Sequence, residues 1–318
     1  MRDRTSPRSA SDAGFTLIEV MVTTMIMLTV SGVVITGVLN MTDLNNTVTN
    51  RSAMFAGVRN ATALLQQEVG QAGRISLPAP VDLTVDALKD TAFLVVNSTE
   101  GMFEGEYLVL GTGDTQETVE IFLINGNTLT LKTALEETHD AGEPVSVQGA
   151  FWAGVVPSHN SDGSVNANGS SGSVLKIFGD INGSGKMVYV EYTCDLAEHV
   201  LYRNQMDFDA EEKDDPNVEQ ILVENVQANP DNTPCFTYQE ETISDKVFVI
   251  GVAITLTVQS QDKDKVTGEH HKESKALLNV SPRNVFNAWQ LYSLLMENRV
   301  QQTPAATALL MPALQTLP

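Results

Sequence analysis

The sequence predicts an α+β protein in which one long N-terminal helix is followed by a head built mainly of antiparallel strands. Three observations favour this class. Residues 15–39 form an almost uninterrupted apolar run, residues 40–75 continue it with apolar positions at helical spacing, and most of the remaining chain consists of short β-branched or aromatic runs separated by turn residues. The chain has 318 residues, of which 42% are hydrophobic, so the part beyond the helix is large enough to bury its own core.

Residues 15–39 are long enough to cross a membrane, because an apolar helix needs about 20 residues to span the hydrocarbon core. The run holds a single charged side chain, Glu19. A carboxylate costs about 2.5–3.5 kcal/mol at the centre of a bilayer, so we expect Glu19 to have a function. Three arginines precede the run and none lies within it, which predicts a cytoplasmic N-terminus and a head on the other side of the membrane.

Residues 1–14 form a polar leader without an apolar stretch of its own, unlike an ordinary secretory signal. The sequence GFTLIE at residues 14–19 resembles the processing signature of type IV prepilins and pseudopilins. The resemblance implies that prepilin peptidase cuts between Gly14 and Phe15 and methylates the new amine of Phe15. A plain membrane anchor is the alternative, and it would explain the span but neither the Gly14–Phe15 junction nor Glu19.

The same resemblance implies an assembly role for Glu19. A subunit that leaves the bilayer for a filament core should not carry an unpaired buried carboxylate. The positive amine of Phe15 in a neighbouring subunit would neutralise Glu19 and would also fix the axial register between the two subunits.

Residues 40–75 are predicted to extend the helix to about 55 residues, or roughly 80 Å. One face is expected to be apolar and the other polar. The apolar positions are Leu44, Val48, Phe55, Val58, Leu65 and Val69, whereas Arg51, Arg59, Gln66 and Glu68 are expected mostly elsewhere. Residues 51–75 resemble the corresponding part of the PilW-like minor pilins and of the J-type pseudopilins, which implies a pilin-like fold with the helix packed on an antiparallel sheet.

The head is predicted to contain two β regions and a tail. Residues 88–150 hold five short strand-like runs at the spacing of a small barrel or sandwich, and this module looks like an insertion. It serves either as an exposed contact module or as an elaboration without a separate role. Residues 151–284 are expected to form the main pilin-like sheet. Residues 285–318 are expected to form a short amphipathic helix and a tail that docks on a partner, docks on the head or is loosely ordered.

The two cysteines, Cys194 and Cys235, do not lie in a metal-type CxxC pair. An exported head permits a disulfide between them. Two buried free thiols are the alternative.

The turn at residues 180–185 is a candidate calcium site, and calcium is the single cofactor that the sequence suggests. Asp180, Asn182 and Ser184 provide oxygen side chains on alternate residues, and Gly185 and Glu191 occupy two further positions of a calcium-loop pattern. A plain hairpin turn is the favoured alternative, because the flanking runs resemble strands and Lys186 adds a positive charge.

Charge and motifs argue against two broad classes of function. The formal net charge of −21 does not suit a phosphate backbone, so we expect no nucleic-acid partner. The five histidines do not form an HExxH pattern, and no GxSxG, Walker A or GxGxxG motif occurs in a suitable context. The sequence therefore predicts a protein that is not an enzyme.

The resemblance implies a minor pilin that helps to initiate type IV pilus assembly and sits at or near the filament tip. Two alternatives stay open: a J-type pseudopilin of a type II secretion system, and a tip adhesin. The implied partners are prepilin peptidase, other minor pilins, the major pilin and the assembly platform. The implied location is the inner membrane, crossed once with the head in the periplasm, and then the pilus at the cell surface.

Overall fold

The computed structural model describes residues 15–213, 220–264 and 267–312. The predicted leader at residues 1–14, with Gly14, lies outside the described residues, as does the end of the predicted tail.

Helix α1 spans Leu17–Gln71, 55 residues, and confirms the predicted long helix. It ends before residue 75 because Gly73 takes a left-handed φ of 80°. A side chain at this position would also collide, since a Cβ would lie 3.0 Å from the carbonyl oxygen of Phe151. The side-chain amide of Asn284 donates to the carbonyl oxygens of Gln71 and Ala72, two of the main-chain acceptors left free at the end of the helix.

A six-stranded antiparallel sheet follows the helix, in the order β1-β6-β3-β4-β5-β2. Its strands are β1 Val81–Asp82, β2 Phe93–Val95, β3 Tyr107–Leu110, β4 Glu117–Asn125, β5 Thr128–Leu131 and β6 Pro144–Val147. A bridge between Leu83 and Val96 links the two edges, so the sheet curls back on itself as a small barrel around an apolar core. The predicted inserted barrel or sandwich is confirmed, but it starts at Val81 rather than at residue 88, because the two-residue β1 is too short to show an alternating pattern.

Among the described residues, the rest of the head forms two further four-stranded sheets and a two-stranded parallel sheet, where a single main sheet was expected. The further strands are β7 Ala150–Phe151, β8 Val174–Gly179, β9 Val188–Asp195, β10 Val200–Asp207, β11 Ile221–Glu224, β12 Val226–Gln227, β13 Phe236–Ile243, β14 Lys246–Lys263, β15 His270–Val280 and β16 Val300–Gln301. One sheet has the order β11-β10-β9-β8. In the other, β12 and β13 pair with one edge of the long β14 and β15 pairs with its opposite edge.

The C-terminal part of the described chain docks on the head itself. Helix α2 spans Arg283–Ser293 and packs through Val285, Ala288 and Tyr292. It ends at Ser293, because Leu295, two residues later, takes a left-handed φ of 62°. Leu310 is fully buried against β9 and β10.

Aromatic packing and hydrogen bonds join the barrel to the rest of the head. Phe103 stacks near Phe151, with ring centroids 5.7 Å apart, and Phe151 packs 4.5 Å from Phe178. The buried side chain of Gln301 accepts from the main-chain N–H of Tyr107 at 2.9 Å and donates to its carbonyl oxygen at 2.9 Å. The side-chain amide of Gln301 therefore makes the two hydrogen bonds with β3 that the main chain of a neighbouring strand would make.

Candidate processing and assembly site

The N-terminal end of α1 places Phe15 and Glu19 on the surface. Phe15 is 84% exposed. Thr16 caps the helix: its hydroxyl accepts from the main-chain N–H of Glu19 at 3.3 Å, and the Glu19 carboxylate accepts from the main-chain N–H and the hydroxyl of Thr16, both at 3.1 Å. This capping box satisfies main-chain donors at the start of the helix. The Thr-x-x-Glu spacing of Thr16 and Glu19 is the sequence signature of this cap.

Helix α1 has two halves with opposite surroundings. In the free half, residues 17–57, the side chains are exposed or only partly covered, and Val58 is the first buried residue. In the docked half, residues 58–71, Ala61, Leu65 and Val69 lie in the core between both large sheets. The expected apolar face is therefore only partly used by the head, because Leu44, Val48 and Phe55 stay exposed.

Helix α1 is the one helix in the described part of the chain that is long and apolar enough to cross a membrane, and its most apolar stretch lies in the free half. Completely covering one Leu, Ile, Val or Met side chain is worth about 1.5–3 kcal/mol. An exposed apolar helix of this length therefore needs lipid or other protein around it.

The docked half carries a buried polar anchor. Glu68 is 5% exposed, so the expectation that it lies away from the packed face is wrong. Its carboxylate accepts from Arg203 Nη2 at 2.6 Å and from the Tyr192 hydroxyl at 2.5 Å. Burial, together with the Glu68 carboxylate, raises the pKa of Tyr192, so the phenol stays neutral and donates. The anchor ties α1 to β9 and β10.

The β14–β15 hairpin contacts α1 where the helix leaves the head. Asn50 donates to Asp262 at 2.9 Å, and Arg51 Nη2 lies 3.1 Å from Asp264 Oδ2. Phe55 meets His271 edge to face, with ring centroids 6.0 Å apart. These contacts lie at the end of the free half next to the docked half, where the head touches the helix.

Cys194 at the end of β9 and Cys235 next to the start of β13 are joined by a disulfide. The bond links the two large sheets across 41 residues of chain. In the chain-entropy model, a disulfide that closes a loop of this length stabilises the folded protein by about 4 kcal/mol.

The residues of the candidate calcium turn contact one another, but their oxygens accept hydrogen bonds. Asp180 Oδ1 accepts from the main-chain N–H of Ser184 at 2.9 Å, Oδ2 accepts from the Ser76 hydroxyl at 2.5 Å, and Asn182 Oδ1 also accepts from the N–H of Ser184. Glu191 belongs to a different cluster, where it accepts from Tyr189 and Lys213. The turn joins β8 and β9 as a hairpin, and calcium binding stays a prediction.

A cavity of about 350 Å³ lies beside Asp245, at the opposite end of β14 from the contacts with Asn50 and Arg51. Its lining includes Trp152, His159, Asn160, Asn166, Asp245 and Thr303. The position follows from β14: Asp264, just beyond one end of the strand, contacts Arg51, and Val252 pairs with Val280 close to the end of α1. Asp245 precedes the other end of β14, about 20 Å farther on at 3.3 Å per residue.

Comparison with known families bears on the N-terminal segment. A family model described as the prokaryotic N-terminal methylation motif matches residues 9–35, which include the end of the leader and the first part of α1. This chain carries the motif. A type IV pilin-like prepilin signal followed by a long apolar helix implies processing by prepilin peptidase and membrane anchoring through that helix.

The remaining comparisons add no argument about the head. No curated protein matches the chain significantly. Among solved structures, the Gp54 tailspike of Acinetobacter baumannii bacteriophage AP22, in complex with A. baumannii capsular saccharide, aligns with 22% of this chain at 19% identity and a TM-score of 0.20. The aligned part is 14% of the tailspike chain. A similarity this small indicates neither fold nor function.

Proposed function

We propose that the protein is a minor pilin that helps to initiate type IV pilus assembly and sits at or near the filament tip. The observation that carries the proposal is a motif-bearing helix whose apolar segment, residues 17–39, is not covered by its own head. Such a helix is built to exchange lipid for the helices of neighbouring subunits. The large head favours the tip, because a shaft subunit must fit at every helical step whereas a tip subunit must fit once.

The capping box suggests how Glu19 passes between the two environments. In the bilayer the Thr16 main-chain N–H and hydroxyl provide donors for the carboxylate, which lowers the cost of holding it there. Once cleavage frees the amine of Phe15, a neighbouring subunit can offer Glu19 a full positive charge. The donors of the cap are neutral groups, whereas the amine brings a full positive charge that neutralises the buried carboxylate, so the filament contact is preferred.

The proposed partners follow from this sequence of events. Prepilin peptidase acts first, at the junction of Gly14 and Phe15. Other minor pilins, the major pilin and the assembly platform then receive the free half. We place the protein in the inner membrane with its head in the periplasm, and afterwards in the pilus at the cell surface.

Processing is tested by Gly14→Ala. We expect this variant to keep its leader, because the signature implies a peptidase that cuts after glycine and alanine adds a methyl group at that position. Intact-mass spectrometry of the purified protein will show the added residues. The matched control is Gly37→Ala, a second glycine of the apolar segment, which should be trimmed normally. Normal trimming of Gly14→Ala would refute processing at this junction.

The pilus and the secretion system are separated by deleting the gene and scoring both phenotypes. Loss of surface pili with intact protein secretion supports the proposal. Loss of secretion with intact pili would replace it with the J-type pseudopilin of a type II secretion system, since both systems share the N-terminal segment.

Adhesion is a second candidate function, favoured by the cavity beside Asp245. An aromatic side chain with two side-chain amides and one carboxylate around it is typical of small-ligand sites. Asp245→Ala should reduce attachment of piliated cells to a surface without reducing pilus number, whereas the nearby exposed Glu241→Ala should change neither. Equal attachment by the wild type and both variants would rule out adhesion through this cavity, and assembly would then be the one proposed function.

A further inference from the structure

The barrel contains a buried cluster that neither processing nor assembly uses. His139 lies in the connection between β5 and β6 and is completely buried. Its Nε2 is 2.9 Å from Glu117 Oε1, at the start of β4, and its Nδ1 is 2.8 Å from Glu143 Oε2, just before β6. Both ring nitrogens therefore face carboxylates.

This geometry requires a proton on each ring nitrogen. Ionised carboxylates only accept hydrogen bonds, and a neutral imidazole has a single N–H to donate. Only the imidazolium form satisfies both Glu117 and Glu143. Burial opposes the charged ring, but the hydrogen bonds to the two carboxylates outweigh it, so the pKa of His139 is raised above its ordinary value.

The cluster fastens residues 132–143 to the barrel. Glu117 accepts from the main-chain N–H groups of Glu136 and Glu137, at 2.9 and 3.1 Å. His139 exchanges two main-chain hydrogen bonds with Ala87, each 2.8 Å. Leu135, in the same connection, is buried in the barrel core.

Four segments surround the imidazole, and the carboxylates of Glu117 and Glu143 are the charged groups that face it. The other two segments meet His139 at Ala87 and Gly111. Gly111 takes a φ of 66°, and a Cβ there would lie 2.9 Å from His139 Nδ1, so the ring sits against its main chain.

We infer that Glu117, His139 and Glu143 form a proton-operated latch that holds residues 132–143 closed on the barrel and releases them as His139 loses its proton. A histidine whose pKa is raised on folding stabilises the fold fully below its unfolded pKa and ceases to do so as the pH rises through the folded pKa. The latch is thus closed in mild acid and opens in alkali. Opening would withdraw Leu135 from the core and expose apolar barrel surface. This inference goes beyond the proposed assembly function and does not depend on it.

Hydrogen–deuterium exchange of the full-length protein in detergent micelles tests the latch. After correction for the intrinsic exchange rate, we expect residues 132–143 to lose protection between about pH 6 and about pH 9, while β9 and β10 stay unchanged. His139→Gln, which cannot titrate, should abolish the pH-dependence. The control His159→Gln, which alters an exposed histidine paired with Glu240, should keep it.

Three results would overturn the latch: a wild-type segment with constant protection, an unchanged pH-dependence in His139→Gln, or a His139 imidazole that titrates by NMR below the ordinary histidine range. The NMR titration uses the wild-type chain, so it can overturn the latch even if His139→Gln does not fold.

Discussion

The free and docked halves of α1 belong to one continuous helix, and both carry apolar side chains, yet they differ in what covers them. In the docked half, Leu65 and Val69 are buried by the two large sheets, and Glu68 is paired with Arg203. In the free half, side chains such as Leu28 are exposed on every side of the helix. The docked half therefore stabilises the fold of the head. The free half leaves its apolar surface available to lipid or to other proteins.

The largest expected effect comes from truncating a buried side chain of the docked half. Leu65→Ala should lower the free energy of unfolding of the head by about 2–5 kcal/mol, because it leaves a cavity in the core. Urea unfolding of the full-length protein in micelles, followed by fluorescence of Trp152 and Trp289, measures this change. Leu28→Ala is the matched control in the free half and should leave the unfolding curve unchanged. A comparable loss in Leu28→Ala would abolish the distinction between the halves.

A smaller effect is expected from the polar anchor. Glu68→Ala should cost about 3 kcal/mol, because it leaves Arg203 and Tyr192 without their acceptor. The same urea titration measures the cost. Gln67→Ala, one position earlier and exposed, should be nearly neutral. If the two variants unfold alike, the anchor does not hold the helix on the sheet.

The smallest effect is expected at the start of the free half. Thr16→Ala should destabilise the first turn of α1 by about 1 kcal/mol, since it removes the cap, and should not change unfolding of the head. Amide exchange of residues 17–23 in micelles reports the local change. Thr24→Ala removes a hydroxyl that bonds within the helix rather than at its end, so faster exchange of that first turn in both variants would contradict the capping role.

The difference between the halves also explains which parts of the fold the sequence could predict. Helical spacing of apolar residues predicted α1 nearly to its ends, because that pattern is local. The same pattern placed Glu68 on the wrong face, because its partner Arg203 lies 135 residues later and only folding brings the two together. Periodicity likewise could not show that Leu44 and Val48 lie beyond the reach of the head.

In the head and the candidate site, too, local patterns could be predicted from the sequence, whereas contacts between distant residues could not. Strand-like runs predicted the barrel, whereas its closure through Leu83 and Val96 depends on contacts between distant segments. The processing junction at Gly14 and Phe15 could be proposed from six adjacent residues. The capping role of Glu19 could have been inferred from its spacing to Thr16. The buried position of His139 could not, because Glu117, 22 residues away, meets the ring only in the folded barrel.

The hydrogen bonds between Gln301 and Tyr107 set an order on biogenesis. Their partners are 194 residues apart, with Gln301 near the C-terminal end of the described chain. Synthesis begins at the N-terminus, so the barrel strands are present long before this glutamine. The barrel can close on its own core first, and Phe103 can then meet Phe151 and Phe178. The two hydrogen bonds to Gln301 form only after synthesis has reached that residue, so they complete the attachment of the barrel rather than begin it.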